Sequence, residues 1–280
     1  MVAPVTRTAA AALAAAQARL AALDSARLDA ELLLAHVLGC PRTRFYSDPG
    51  QPLDAAALAR FEALVTARAG GQPLAYLTGR AEFWSLTLAV GPDVLVPRAD
   101  TELVVDTALE LGGADAVVAD LGTGSGAIAC AYASERRAAR VVASDRDAAA
   151  LARARDNAAA LGLGGIRCVR ADWLAPFATA SLDLLLANPP YIGTAEPTPL
   201  SPELAHEPRH ALFAGRDGLD ALRRIAADAP RVLRPGGAIV LEHGAGQGAA
   251  VRALLTRAGL VAVATRRDLA GLERVTLARR

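Results

Sequence analysis

The sequence predicts an α/β protein: a doubly wound, parallel sheet of about seven strands, preceded by a small all-helical region and joined to it by a β-hairpin. Three observations carry this prediction. Beyond Gly113, short apolar runs alternate with longer segments of helical spacing, the pattern of a parallel sheet with helices on both faces. Before about residue 80 nothing alternates with period two, and only helical patterns occur. Between them, Phe83, Trp84, Leu86, Leu88 and Val90, then Val94 to Val96, read as two short strands turning at Gly91-Pro92-Asp93. The expected organisation is a helical domain over residues 1–80, a hairpin linker over 81–99 and an α/β domain over 100–280.

Taken in order, the first helix is expected from Thr8 to Leu23. Ser25 is placed to N-cap a second through Leu38, which Gly39 and Pro41 end, and Asp54 to cap a third reaching Arg68. Pro73 to Leu77 reads as a short turn. The acids and arginines here are assigned to a solvated face, and His36 to an apolar helical face. After the hairpin, Asp100 is the predicted N-cap of a helix through Leu111. Strands are then expected at Ala116–Asp120, Val141–Ser144, Ile166–Arg170 and Leu182–Ala187, and later at Ala238–Glu242, Leu260–Thr265 and Arg274–Leu277. Helices begin near Gly126 and span Asp147 to Leu161 and Leu219 to Leu233, the last stopping at Pro235-Gly236-Gly237.

The composition bounds the function. A net charge of +1 over 280 residues gives no global attraction to nucleic acid or an anionic membrane. All 30 basic residues are arginine, a compositional bias rather than a phosphate-binding surface, although Arg266-Arg267 and Arg279-Arg280 are local basic pairs. Cys40, Cys130 and Cys168 are isolated and odd in number, as expected of reduced thiols in a cytoplasmic protein rather than a disulfide frame or zinc site. The alanine-rich run from Ala9 to Ala16 continues into Gln17 and Arg19 as an amphipathic helix, so it does not read as a targeting signal. No stretch reaches the roughly 18 apolar residues of a membrane span, and no exposed apolar stripe calls for a second subunit, so a monomer is expected.

The candidate site follows from the ends of the strands, where open α/β sheets bind ligands. Asp120-Leu121-Gly122-Thr123-Gly124-Ser125-Gly126 joins the first strand to its helix. Its glycines permit a tight turn and close ligand approach, and the helix N-terminus behind them offers unpaired N–H groups. Gly122-x-Gly124-x-x-Ala127 also fits the dinucleotide fingerprint, so this loop alone does not separate a nicotinamide cofactor from S-adenosyl-L-methionine. Asp145, about twenty residues on, is placed for ribose hydroxyls under either reading. Asp172 and Trp173 offer an acid for an exocyclic amine and a flat apolar face for a purine.

Asn188-Pro189-Pro190-Tyr191 follows the fourth strand. The prolines lack N–H groups and hold the residues before them extended, giving a stiff loop with outward carbonyls. Asn188 adds an acceptor and Tyr191 a ring, a combination that suits a planar substrate carrying an NH2 group. His206-Glu207-Pro208-Arg209-His210 matches a zinc-protease string, but that chemistry needs both histidines on one helical face and Pro208 breaks such a helix. His243, after a strand, is a possible cleft residue without a required role.

With these residues in place, the sequence resembles the HemK/PrmC family of protein-(glutamine-N5) methyltransferases along essentially its whole length. The resemblance is carried by Gln72-Pro73-Leu74-Ala75-Tyr76 with Gly79, Glu82-Phe83-Trp84-Ser85-Leu86, Val96-Pro97-Arg98-Ala99-Asp100-Thr101-Glu102, Asp120 to Gly126 and Asn188 to Tyr191. Glu207-Pro208 with Ala211-Leu212, Val232 to Gly237 and Gly271 to Val275 complete it. Ala99 departs from the pattern, which commonly has a second proline there. The resemblance implies a class I, Rossmann-like, S-adenosylmethionine-dependent methyltransferase fold. It implies cofactor contacts at Gly122, Thr123, Gly124, Ser125, Gly126, Asp145, Trp173 and Asn188, to which the strand-end pattern adds Asp172. It also implies that Asn188, Pro189, Pro190 and Tyr191 hold the glutamine of the Gly-Gly-Gln loop of class 1 peptide chain release factors, with the helical domain binding the release factor.

The expected chemistry places Asn188, Pro189 and Tyr191 at the reacting amide: the Asn188 oxygen and the Pro189 carbonyl accept its two N–H bonds. Adenine N6 and guanine N2 are also planar amines, so a nucleic-acid methyltransferase is the alternative; a base in a duplex would require flipping and a basic track. A nicotinamide oxidoreductase and a non-catalytic binding protein are the further rivals.

Overall fold

The computed structural model describes residues 7–195 and 201–280, in two units: residues 7–79 with 201–206, and residues 80–195 with 207–280. Residues 1–6 of the expected helical domain and 196–200 of the expected α/β domain lie outside the described residues.

The first unit is helical: α1 (Ala9–Arg19), α2 (Ala26–Leu38), α3 (Arg44–Ser47), α4 (Ala55–Ala69) and α5 (Leu74–Thr78). Thr8 and Asp54 cap α1 and α4, each accepting the N–H three residues on, at 3.3 and 2.7 Å. Ser25 precedes α2 but makes no side-chain cap. Small residues Ala9, Ala12 and Ala16 let α1 approach the others closely, and Leu33, Leu34, Phe61 and Val65 fill the core between. Pro73 opens a helical turn, α5, where a plain turn was expected. Two further expectations fail here. His36 lies on the exposed side of the last turn of α2. The acids and arginines do not all form a solvated face: Asp29, Glu31 and Arg68 are buried. The Arg68 guanidinium reaches Asp29 and Glu203 at 2.6 Å each and the Gln72 carbonyl at 3.1 Å. A charge taken out of water needs that set of partners, and periodicity alone does not reveal them.

The second unit opens with an antiparallel hairpin of β1 (Arg80–Phe83) and β2 (Leu86–Ala89), paired from Arg80–Ala89 to Phe83–Leu86. The turn is therefore Trp84-Ser85 and not Gly91-Pro92-Asp93. Both residues adopt left-handed backbone, φ 52° and 58°, as the mirror-image turns of two-residue hairpins require. Glu102 holds the Trp84 N–H at 2.8 Å and Glu135 the Trp84 indole N–H at 2.9 Å, which offsets the strain of positive φ on an aromatic residue. Phe83 and Leu88 are buried in the core of this unit.

The rest is α6 (Glu102–Leu111), β3 (Val117–Leu121), α7 (Ala127–Glu135), β4 (Arg140–Asp145), α8 (Ala148–Ala160), β5 (Arg167–Arg170), β6 (Leu182–Ala187), α9 (Arg209–Leu212), α10 (Asp220–Val232), β7 (Leu233–Glu242), α11 (Gly248–Arg257), β8 (Val261–Arg267) and β9 (Glu273–Arg279). The seven strands lie in the order β5-β4-β3-β6-β7-β9-β8. Five run parallel, from β5 to β7. The expected all-parallel sheet needs one correction: β9 inserts antiparallel between β7 and β8. Two apolar cores cover the two faces, one with Val104, Ile128 and Leu186, the other with Leu185, Ile225 and Leu241, so the central strands read as continuous apolar runs. Asp100 does not cap α6; it lies in a short 3-10 turn and pairs with Arg274 at 3.2 Å. The basic pairs near the C-terminus are also partnered, Arg266 by Glu110 and Arg279 by the Gly236 carbonyl. No helix among the described residues is long and apolar enough to cross a membrane.

Candidate active site

The strand order reverses at β3, with β4 and β5 on one side and β6 and β7 on the other. Such a switch point opens a crevice beyond the strands' C-terminal ends. A cleft of about 200 Å³ lies there, lined by Gly122, Gly124, Asp145, Asp172, Trp173, Asn188 and Pro190 among others. Its rim also includes Asp93, His210, Phe213 and Arg224.

The glycine loop after β3 is built from within. Asp120 is buried and accepts from Thr123 Oγ1 at 2.5 Å and from the Ala129 N–H at 3.2 Å. Burial pushes its carboxyl up to about 7, with the Thr123 and Ala129 hydrogen bonds pulling it back down. Its Oδ1 is buried without a hydrogen-bond partner among the described residues. Ser125 is buried, its carbonyl taken by Asn157 Nδ2 at 2.8 Å, and Gly126 starts α7 in left-handed backbone. Thr123, Ser125 and Gly126 thus shape the loop, and Gly122 and Gly124 face the cleft. Asp145 Oδ2 accepts the Gly124 N–H at 3.0 Å and its Oδ1 the Asp147 N–H at 2.9 Å, fixing the carboxylate at the cleft edge. A β-carbon on Gly122 would sit 3.4 Å from the Trp173 ring, so the ring runs beside the glycine loop. Asp172 pairs with Arg224 at 2.6 Å, and that hydrogen-bonded cation holds its carboxyl below the usual range.

Asn188 follows β6, and its Nδ2 donates to Thr101 Oγ1 at 3.0 Å, the sole partner of this side chain among the described residues. Asn188 lines the cleft, and its Oδ1 makes no hydrogen bond among the described residues. Pro189 is buried and Tyr191 half-buried, and neither lines the cleft as Pro190 does. Tyr191 Oη donates to Glu242 Oε1 at 3.3 Å, and Gln247 Nε2 donates to the Tyr191 carbonyl at 2.9 Å. Burial, reinforced by the negative Glu242, pushes the Tyr191 phenol well above its ordinary value.

Sequence reasoning missed Thr101, Asn157 and Glu242. Glu242 ends β7 as Asp145 ends β4, and the same signal, an acid closing a parallel strand, was there to find it. Asn157 ties α8 to two segments at once, donating to Ala89 and Ser125 carbonyls and accepting from the Ala89 N–H. His243 does not line the cleft; it is buried, 2.8 Å from Thr276 Oγ1, and burial lowers its pKa. In the string from His206 to His210, the first histidine ends a 3-10 turn and the second lies in α9. Between them, Glu207 is buried, accepts the Val96 N–H at 3.0 Å and pairs with Arg98.

The groups present fit S-adenosylmethionine: an open glycine backbone, a fixed carboxylate for ribose hydroxyls, an aromatic face for a purine and, behind the loop, a buried acid with one oxygen unpartnered among the described residues. Comparison with known proteins bears on the same point. The profile of the PrmC N-terminal domain matches residues 11–79, and that of the methyltransferase small domain matches residues 99–216. A release factor glutamine methyltransferase of Xylella fastidiosa (strain Temecula1) is 50% identical over 255 residues, covering 90% of this chain and 93% of that protein. One from Burkholderia pseudomallei is 47% identical over 257 residues, covering 89% and 90%. Among solved structures, a methyltransferase from Pyrococcus furiosus shares the fold with TM-score 0.54 at 18% identity, covering 81% of this chain and 98% of that one.

Proposed function

The chain belongs to the release factor glutamine methyltransferases, and from that premise we propose how its own residues carry the reaction. It is an S-adenosylmethionine-dependent enzyme that methylates a glutamine of a release factor. The acceptor proposed is the side-chain nitrogen of the glutamine in the Gly-Gly-Gln loop of class 1 release factors. The observation that supports it is that Asn188 lines a cleft flanked by the glycine loop with its NH2 committed to Thr101, which leaves its oxygen for the substrate.

An amide nitrogen is a poor nucleophile because its lone pair is delocalised into the carbonyl. Asn188 Oδ1 and the Pro189 carbonyl are the acceptors for the two substrate N–H bonds. They orient the amide and stabilise positive charge that develops on its nitrogen as the new bond forms, and Tyr191, outside the cleft lining, supports this loop through its contacts to Glu242 and Gln247. The bound cofactor supplies a methyl group already activated on a sulfonium. Gly122, Gly124, Asp145 and Trp173 are the residues to hold it, with Thr123, Ser125 and Gly126 setting the loop and Asp172 at the purine end. What remains for the protein is alignment, worth up to roughly 7–11 kcal/mol in well-oriented systems. The proton leaves late, to these acceptors or to water.

The helical unit, residues 7–79 with 201–206, is proposed as the surface that recognises the release factor. The net charge of +1 and the pairing of Arg266 with Glu110 support a protein acceptor over direct nucleic-acid binding. Three free cysteines suit a cytoplasmic enzyme, and a monomer suffices for the site described. The test is transfer of labelled methyl to purified release factor, RNA and DNA. Label is expected only in the release factor and lost when its Gly-Gly-Gln glutamine is replaced by alanine; label only in nucleic acid overturns the reading.

A further inference from the structure

An asparagine side chain presents an acceptor on one side and a donor on the other, and something must decide which faces the substrate. Here the answer lies one strand away. β6 and β7 pair in parallel through Ala187–Leu241, which brings Asn188 and Glu242 side by side at the sheet edge. Glu242 is 1% exposed, and its Oε2 has no hydrogen-bond partner of its own among the described residues. The Tyr191 hydroxyl donates to its Oε1 at 3.3 Å, and the Thr101 hydroxyl favours its charged form. Thr101 Oγ1 is also the atom that Asn188 Nδ2 meets at 3.0 Å.

We propose that Glu242 is a positioning residue for Asn188 and Tyr191. A carboxylate only accepts: Oε1 takes the Tyr191 hydroxyl proton, and in this proposal the unpartnered Oε2 is the acceptor for that of Thr101. With its proton committed there, Thr101 can only accept from Asn188, and the Asn188 oxygen is the atom left to face the substrate amide. The inference rests on the reading that this oxygen receives a substrate N–H bond. A neutral amide at position 242 removes the constraint: it both donates and accepts, which frees Thr101 to donate to the Asn188 oxygen. Asn188 then turns its NH2 toward the substrate NH2, donor against donor. The other charged groups facing Glu242 are Arg274 on β9 and Asp100 ahead of α6, which act in opposite directions on its ionisation.

The test compares Glu242→Gln, Thr101→Val and Thr101→Ser with wild type, each checked first for thermal stability and S-adenosylmethionine affinity by calorimetry. Misdirecting one charge-supported hydrogen bond predicts a fall in kcat of roughly 10–100-fold for Glu242→Gln and Thr101→Val. KM for the release factor, cofactor affinity and melting temperature are expected to stay near wild type. Thr101→Ser, which keeps the hydroxyl, restores turnover. The double variant Glu242→Gln/Thr101→Val is no slower than the slower single one, because both break the same chain of contacts. Burial pushes the Glu242 carboxyl up to about 7, so wild-type kcat rises as pH passes that value and the Glu242→Gln profile is flat there. Wild-type kcat in Glu242→Gln overturns the proposal. So does a loss confined to melting temperature, or a Thr101→Ser variant as slow as Thr101→Val. A wild-type enzyme that methylates no release factor instead overturns the reading beneath it.

Discussion

Alanine at Gly124 and alanine at Gly126 are nearly the same change chemically, yet the structure predicts opposite consequences. Both glycines have left-handed backbone, φ +55° and +82°, so an alanine at either costs about 1–2 kcal/mol of conformational strain. At Gly124 that is the whole cost to the fold, because a β-carbon there meets nothing within 4 Å. Gly124 lines the cleft, so with the cofactor placed as proposed the added methyl group obstructs its approach to the backbone. Affinity for S-adenosylmethionine is expected to fall at least ~10-fold, about 1.4 kcal/mol. At Gly126 the β-carbon would stand 3.1 Å from Ala154 Cβ and 3.2 Å from Ala154 Cα, in the neighbouring helix α8. A backbone atom cannot swing aside, and overpacking adds about 1–3 kcal/mol. Gly126→Ala is therefore predicted to lose about 2–5 kcal/mol of stability, with less effect than Gly124→Ala on the cofactor affinity of the folded fraction. Urea unfolding followed by circular dichroism gives the first quantity and isothermal calorimetry the second. Equal stability of the two variants would refute the helix packing. Wild-type cofactor affinity in Gly124→Ala would refute the placement of the cofactor over this loop.

Three further outcomes are expected. Asn188→Ala abolishes turnover while weakening cofactor binding only modestly, which single-turnover kinetics and calorimetry separate. Asn157→Ala strands the Ala89 N–H and the Ala89 and Ser125 carbonyls, three contacts of 2.8–3.0 Å, and lowers stability by about 2–4 kcal/mol in urea melts. Asp120 keeps its proton in the folded state up to about pH 7 but releases it near ~4 when unfolded. Its contribution to stability is thus full at low pH and is lost as pH rises through about 7, with a slope of at most ~1.4 kcal/mol per unit. Wild type should lose stability relative to Asp120→Asn between pH 5 and 7 and hold a constant difference above that; a flat difference throughout contradicts the raised pKa.

The parallel core and the ligand edge were legible because each is a local pattern repeated. Each strand that ends in an acid or amide sends that group to one edge, so Asp120, Asp145, Asp172 and Asn188 could be grouped before any contact was known. Where two distant segments settle the conformation, the sequence was silent. Trp84 and Ser85 turn the hairpin against their own backbone preference because Glu102 and Glu135 receive the Trp84 donors. Asp100 has the chemistry of a cap but pairs with Arg274, far along the chain. The antiparallel insertion of β9 leaves no mark in periodicity, which reports the face a residue occupies and not the strand beside it. Glu242 escaped for a different reason: its strand-end position was visible, but its role exists only through Thr101 and Tyr191.

The central claim is that this cleft holds a planar side-chain amide against the methyl donor, and mass spectrometry of the product tests it most directly. The purified protein, S-adenosylmethionine and a class 1 release factor are incubated together, and the methylated peptide is fragmented to place the added mass. A single methyl on the side-chain nitrogen of the Gly-Gly-Gln glutamine, absent with Asn188→Ala, is the predicted result. A methyl on any other residue, or one that persists with Asn188→Ala, contradicts it.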